Sequence, residues 1–353
     1  GVIEIEGKGL TGLRPPGKVL DLGNSGTSIR LLLGILAGQR FEAVLTGDES
    51  LSSRPMGRVT RPLKQMGAQI KGKDNGNFAP LTIRGGRLKG IDFENSLASA
   101  QVKSAILLAG LYAEGKTRVH EKIPSRDHTE RFLKAVGAPF REESGWLSVE
   151  RAAELKPLDA NLPGDFSAAA FFITAAALKE GSELQVRNVG LNPTRTGLLS
   201  VLKRMGASIE EKVVENTLEP VGEIRVRGGR LKGVRVAPEE IPALIDELPI
   251  LMVACALAEG ESLIAGAKEL RVKETDRIAS LAEGLNRLGA RVKELPDGCI
   301  LEGVEGLKGG TVKSYGDHRT AMSLAVAGLR SQSEVVIEGV ECVKTSYPGF
   351  FSD

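Results

Sequence analysis

The heptapeptide Arg84-Gly85-Gly86-Arg87-Leu88-Lys89-Gly90 returns unchanged as Arg227-Gly228-Gly229-Arg230-Leu231-Lys232-Gly233, each copy preceded by a β-branched residue, Ile83 or Val226. A verbatim internal repeat marks one supersecondary unit used more than once, and that dictates the architecture before any single motif does. A looser echo, Glu305-Gly306-Leu307-Lys308-Gly309, follows at a comparable interval.

Other landmarks keep step with the heptapeptide. Amphipathic helical segments ending in Gly-Ala recur at 62–68, 132–138, 201–207 and 285–290. Apolar residues at i, i+3 and i+4 give each one buried face, and the glycine can take the left-handed conformation that ends a helix. A strand is expected after each, and the segments around Ile70, Ile209 and Val292 fit that role. A second helix type alternates with the first at 28–37, 104–113, 167–178, 248–258 and 320–329. These are apolar almost all round, so they belong in the core, giving one core helix and one surface helix per unit beside a few strands.

Composition narrows the function classes. A chain of 353 residues has room for two domains. Net charge is +2 with acidic and basic residues interspersed, which leaves no electrostatic footprint for nucleic acid and favours a small-molecule partner. Cys255, Cys299 and Cys342 have no metal-ligand spacing and suggest a reducing compartment, with the cytoplasm as the expected location. No apolar run is long enough to span a bilayer.

The pattern of a phosphate-binding P-loop is matched by the segment from Gly110 to Thr117, but its context is wrong. A P-loop needs a strand before it and a helix after it, whereas here an apolar helix precedes and Thr117-Arg118-Val119 reads as a strand. More telling are the small and polar residues where core helices begin: Asn24-Ser25-Gly26-Thr27, Ser99-Ala100-Gln101, Pro163-Gly164-Asp165, Asp246-Glu247 and Gly316-Asp317-His318-Arg319. Such residues commonly cap helices, yet several free helix N-termini aimed at one place would bind anions. The densest ionisable run is Arg271-Val272-Lys273-Glu274-Thr275-Asp276-Arg277. Read as helix, it puts Lys273 and Arg277 on one face with Glu274 beside them, a set able to hold a phosphate and move a proton. A solvated charge run is the alternative. No Ser-His-Asp triad and no His/Cys cluster of metal-binding type is visible, so no metal is expected.

Taken in order, the blocks Leu22 to Thr27, Ser53-Arg54-Pro55-Met56, Ser99 to Ser104, Ser125 to Glu130, Pro163 to Ser167, Asn192 to Gly197, Arg271 to Arg277, Gly316 to Arg319 and Lys344 to Pro348 carry a resemblance. Over nearly its whole length the chain resembles the 5-enolpyruvylshikimate-3-phosphate synthases, enolpyruvyl transferases of the shikimate pathway and the target of glyphosate. The resemblance implies an α/β, two-domain enolpyruvyl transferase fold, an inside-out α/β barrel built from repeated βαβαββ units whose core helices point their N-termini at an interdomain cleft. Residues 1–160 would then hold two of three units and residues 161–353 all three. The family's opening segment, with a Lys-Ser pair and an arginine at the first core helix, has no match here. The first unit is therefore expected to be missing and the chain alone to be inactive.

The resemblance also implies a reaction: transfer of the enolpyruvyl group of phosphoenolpyruvate to the 5-hydroxyl of shikimate-3-phosphate, with release of phosphate and no cofactor. By position, Asp246 would be the base and Glu274 the proton donor to carbon. Gly26, Arg54, Gln101, Arg277, Arg319 and Lys344 would bind phosphoenolpyruvate, and Ser99, Ala100, Gln101, Asp246 and Lys273 shikimate-3-phosphate, with Asn24, Arg126 and His318 as lesser candidates. Glu269 stands where some members carry an asparagine that touches the shikimate moiety. A monomer is expected, or association with the chain's own missing N-terminal segment. The alternatives are the related transferase acting on UDP-N-acetylglucosamine, which uses a loop cysteine as acid, and a noncatalytic fragment.

Overall fold

Alternating burial makes the strands short and one-sided: in Phe78–Arg84, Ala79, Leu81 and Ile83 are buried while Pro80 and Arg84 are exposed. The computed structural model describes residues 2–353, divided into two units, Gly1–Asn161 and Leu162–Asp353. In the first unit, β1 (Leu20–Asp21), β2 (Glu42–Thr46), β3 (Gln69–Gly72) and β4 (Phe78–Arg84) form a sheet in the order β1-β2-β4-β3. The first pair is parallel and the others antiparallel. A second sheet, from β5 (Asp92–Glu94), β6 (Thr117–His120), β7 (Phe140–Glu143) and β8 (Trp146–Val149), has the order β5-β6-β8-β7 and the same directions.

The second unit repeats the plan. Strands β9 (Glu183–Gly190), β10 (Ser208–Asn216) and β11 (Pro220–Arg227) pair antiparallel as β10-β11-β9, and a parallel bridge from Gly164 to Val189 adds the fourth position. Next, β12 (Arg235–Val236), β13 (Glu261–Ile264), β14 (Arg291–Leu295) and β15 (Gly298–Glu302) give β12-β13-β15-β14. Last, β16 (Gly310–Lys313) and β17 (Val335–Glu338) form a parallel pair.

The heptapeptide works as a joint in this plan. Its first arginine ends β4 or β11, the strands that lie between antiparallel partners. A Cβ on Gly85 would meet Leu36 O at 2.3 Å, and one on Gly228 would meet Lys179 O at 1.8 Å, so the strand exit presses on the end of the core helix. The central leucine, Leu88 or Leu231, is buried. The lysine amide then donates to the end of the surface helix, Lys89 to Met66 and Lys232 to Met205, both at 2.8 Å, and Lys308 in the looser echo donates to Leu288 at the same distance.

Among the described residues there are five core helices, Gly26–Ala37, Ala100–Gly110, Phe166–Leu178, Leu248–Ala256 and His318–Gly328. The fourth is buried at every position. Each unit has its own apolar core around these helices. All but the fourth begin earlier than the apolar runs indicate, because polar residues ahead of each run already belong to the helix or cap it. Ser25 accepts from Ser28 N, Asp165 from Ser167 N, and Asp317 from Arg319 N and Thr320 N. Ser99 and Glu247 make no such cap. The amphipathic helices Gly57–Gln65, His128–Ala135, Gly197–Arg204 and Arg277–Arg287 are each followed by a glycine at positive φ, Gly67, Gly137, Gly206 and Gly289. The P-loop lookalike is a helix end followed by a strand, Ala100–Gly110 and then Thr117–His120. No helix among the described residues is long and apolar enough to cross a membrane.

Candidate active site

In the second unit the charged run 271–277 breaks rather than continuing as one helix. A 3-10 turn spans Lys268–Val272, Lys273 has extended ψ, and the helix starts at Arg277 because Asp276 accepts from Ala279 N. The expected sharing of one helical face by Lys273 and Arg277 is therefore incorrect. They meet through a third residue instead. Lys273 Nζ lies 3.3 Å from Asp246 Oδ1 and Arg277 Nη1 lies 3.7 Å from the same oxygen.

Arg277 is the hub of this cluster. Its side chain is 1% exposed, with Nη2 2.5 Å from Glu274 Oε2 and Nε 2.7 Å from Asp317 Oδ2. Burial alone would lower the pKa of such a guanidinium, but Asp317, Glu274 and Asp246 around it raise it, so the charge is secure. Arg319 reaches the same place from the start of the fifth core helix, donating from Nη1 to Asp246 O at 2.9 Å. His318 beside it is held below its ordinary pKa by burial and by Arg319, against the pull of Asp317. Lys344 is exposed on the turn Val340–Thr345, which packs on the fifth core helix, and forms no ion pair with the cluster.

In the first unit, Arg54 is buried and its Nη2 donates to Asn24 Oδ1 at 2.6 Å and to Ser50 Oγ at 3.1 Å. Arg30 Nη1 donates to Gln101 Oε1 at 2.6 Å, and Gln101 Nε2 to Thr27 Oγ1 at 2.7 Å. Gly26 makes room for both guanidiniums: a Cβ there would lie 2.8 Å from Arg30 Nη1 and 3.3 Å from Arg54 Nη1. Deeper in the same helix, Gly34 touches the second core helix directly, since its Cβ would fall 2.3 Å from Ala105 O. Ser99 and Ala100 open that second helix. Asn95 Nδ2 donates to Ser99 O at 3.0 Å and to Glu121 Oε1 at 2.6 Å. Glu121 also receives Lys103 Nζ and the amide of Ser125, both at 3.0 Å, and so fixes the turn that carries Arg126.

Each unit thus gathers cations and helix starts suited to anions, and the second adds three carboxylates, Asp246, Glu274 and Asp317, on one guanidinium. Among the described residues no group of three or more His, Cys, Asp or Glu converges as a metal site would. The sequence model of one family, EPSP synthase (3-phosphoshikimate 1-carboxyvinyltransferase), matches residues 2–353. The chain belongs to the EPSP synthase family.

Its relatives in that family are near in sequence and structure. The 3-phosphoshikimate 1-carboxyvinyltransferase of Desulforamulus reducens is 50% identical over 353 residues, covering 99% of this chain and 82% of the relative. That of Pelobacter propionicus is 52% identical with the same coverage. The solved EPSP synthase of Acinetobacter baumannii superposes with a TM-score of 0.83 at 45% identity, covering 97% of this chain and 79% of that one. These shares do not establish the expected absence of an opening segment.

Four residues that hold the candidate site together carry no individual role in the sequence reading: Arg30, Arg195, Glu247 and Asp317. Arg195 Nη1 lies 2.6 Å from Glu247 Oε2, and Asp317 anchors Arg277. All four lie within or beside the quoted helix starts and blocks, but their partners are remote, as in the 40-residue separation of Arg277 and Asp317. Only the fold brings them together.

Proposed function

We propose that this chain transfers the enolpyruvyl group of phosphoenolpyruvate to the 5-hydroxyl of shikimate-3-phosphate and releases inorganic phosphate, with no cofactor. The observation that carries the chemistry is the placement of Asp246 and Glu274 around Arg277, which offers a base and an acid within one charged cluster. Asp246 takes the hydroxyl proton as the oxygen bonds to C2 of phosphoenolpyruvate, and Glu274 delivers a proton to the methylene carbon. In the second stage the C2–O bond to phosphate breaks, the methyl group returns its proton to Glu274 so that the C=C bond re-forms and gives the enol ether, and the proton held by Asp246 leaves with phosphate.

The cations stabilise the charge that moves. Gly26, Arg54, Gln101, Arg277, Arg319 and Lys344 are the residues assigned to phosphoenolpyruvate. Arginine suits this because its planar fork meets carboxylate and phosphate bidentately. Ser99, Ala100, Gln101, Asp246 and Lys273 hold shikimate-3-phosphate, with Asn24, Arg126 and His318 in supporting positions. Glu274 starts as a partner of Arg277, which favours its anion. When a substrate anion takes Arg277, Glu274 loses that partner and gains a like-charged neighbour. Glu274 is then placed to deliver a proton to the methylene carbon.

The recurring strand orders and the three equivalent lysine joints support a fold of repeated βαβαββ units, two in residues 1–160 and three in residues 161–353. The names of the relatives favour this reading over the UDP-sugar transferase. So do the cysteines, because the Cys255 and Cys299 thiols are pushed up to about 12 chiefly by burial, far from what a loop acid requires. The test is phosphate release by the protein on mixing the two substrates, with calorimetry for shikimate-3-phosphate. Absence of both phosphate release and binding heat would reject the reading.

A further inference from the structure

Glu247, like Asp317, is a fully enclosed carboxylate of the second unit's cluster that takes no part in the proton transfers. Its side chain is 0% exposed at the start of the fourth core helix. One oxygen accepts from Ser167 Oγ at 2.5 Å and the other from Arg195 Nη1 at 2.6 Å. Arg195 also touches the Ser167 hydroxyl. A third segment joins through Arg319, whose Nη1 is 3.9 Å from Glu247 Oε1 and donates to the carbonyl of the adjoining Asp246. One carboxylate therefore ties the starts of the third, fourth and fifth core helices to the loop carrying Arg195.

Stability alone does not account for this arrangement. Burying an ion pair costs about as much solvation as the pairing returns, and apolar replacements of similar volume are often as stable. What the pair does accomplish is to keep Arg195 occupied. The guanidinium feels the charge of Asp246 as well as that of Glu247. Released from Glu247, it would pair with Asp246 and claim the lone pairs with which that residue accepts a proton.

We propose that Glu247 is a positioning residue for the transfer reaction: it holds Arg195 away from Asp246 and sets the peptide on which Arg319 is aimed. This rests on the preceding assignment of Asp246 as base and Arg319 as part of the phosphoenolpyruvate clamp. Glu247→Gln keeps the shape and the Ser167 hydrogen bond but frees Arg195. Its kcat should fall on the order of 100-fold, as small misplacements at a reacting centre do. KM for phosphoenolpyruvate should rise and KM for shikimate-3-phosphate should stay within about threefold, since its other contacts are intact. Adding Arg195→Met removes the stray cation, and kcat should recover to within about tenfold of the parent.

A purely structural role predicts a different pattern, with the double variant no more active per folded molecule than the single one. That result, or parental kcat in Glu247→Gln, overturns the proposal. Should Glu247→Gln fail to show a cooperative thermal transition, the double variant decides, because it leaves no unpaired charge: kcat within about tenfold of the parent supports the proposal and abolished turnover rejects it. A parent without phosphate release would sink the underlying assignment and this inference together; an active parent with unresponsive variants would sink this inference alone.

Discussion

Arg277 and Asp317 form an ion pair closed off from water, with Nε 2.7 Å from Oδ2 and side chains 1% and 0% exposed. The pair joins the first turn of helix Arg277–Arg287 to the N-cap of His318–Gly328, where Asp317 also accepts from Arg319 N at 2.8 Å. One carboxylate thus fixes one arginine of the proposed clamp by its side chain and the next by its backbone.

Asp317→Asn should therefore destabilise the protein by about 3 kcal/mol, the cost of leaving a buried arginine short of a partner. Burial pushes the Asp317 carboxyl up, but Arg277 beside it outweighs this and holds it below the ordinary carboxylate range. A folded pKa below the unfolded one gives stability that is present above the unfolded value, about 3.9, and lost as pH falls through the folded value. Urea midpoints measured between pH 2 and pH 7 should show this acid-side loss in the parent and less of it in the variant.

Glu274→Gln should keep shikimate-3-phosphate binding by calorimetry while turnover falls roughly 10²- to 10⁴-fold, because the shape survives and the exchangeable acid does not. Near-normal turnover would remove Glu274 from the mechanism.

Gly26→Ala places a methyl group 2.8 Å from Arg30 Nη1 and 3.3 Å from Arg54 Nη1, and these guanidiniums must shift. The expected outcome is a KM for phosphoenolpyruvate raised on the order of tenfold, corresponding to about 1.4 kcal/mol, with the fold intact by circular dichroism. An unchanged KM would mean that Arg54 does not meet the substrate.

Lys103→Met tests the second core helix. Lys103 is 1% exposed and lies 3.0 Å from Glu121 and 2.6 Å from Glu130. Burial raises the Glu130 pKa, and Lys103 opposes that rise. Without the lysine two buried carboxylates face each other, and the loss should be roughly 3 to 5 kcal/mol in denaturant titration at pH 7. Because Glu130 can then take up a proton, the deficit should shrink as pH is lowered toward 5.

The sequence made the architecture legible wherever one face of an element decides its place. Apolar runs such as Leu248–Ala256 and the glycine stops at 67, 137, 206 and 289 needed only local periodicity and one backbone conformation. The candidate site was legible as a set of residues but not as a geometry. Local spacing put Lys273 and Arg277 on one helical face, and the competition won by the Asp276 cap replaced that with a turn. Glu247 read as an ordinary acidic helix start, because the residues that give it a task, Ser167 and Arg195, lie 80 and 52 positions away.

The contact at Gly34 has a consequence for anyone redesigning the first unit. Where two helices meet through side chains, their spacing can be tuned by exchanging one apolar residue for another; here peptide meets peptide, and no side chain is interposed to exchange. The span from Arg30 to Gln101 is thereby decoupled from the composition of the surrounding core. Repacking elsewhere should leave that span unchanged, whereas a single methyl at position 34 would wedge the helices apart and lengthen it.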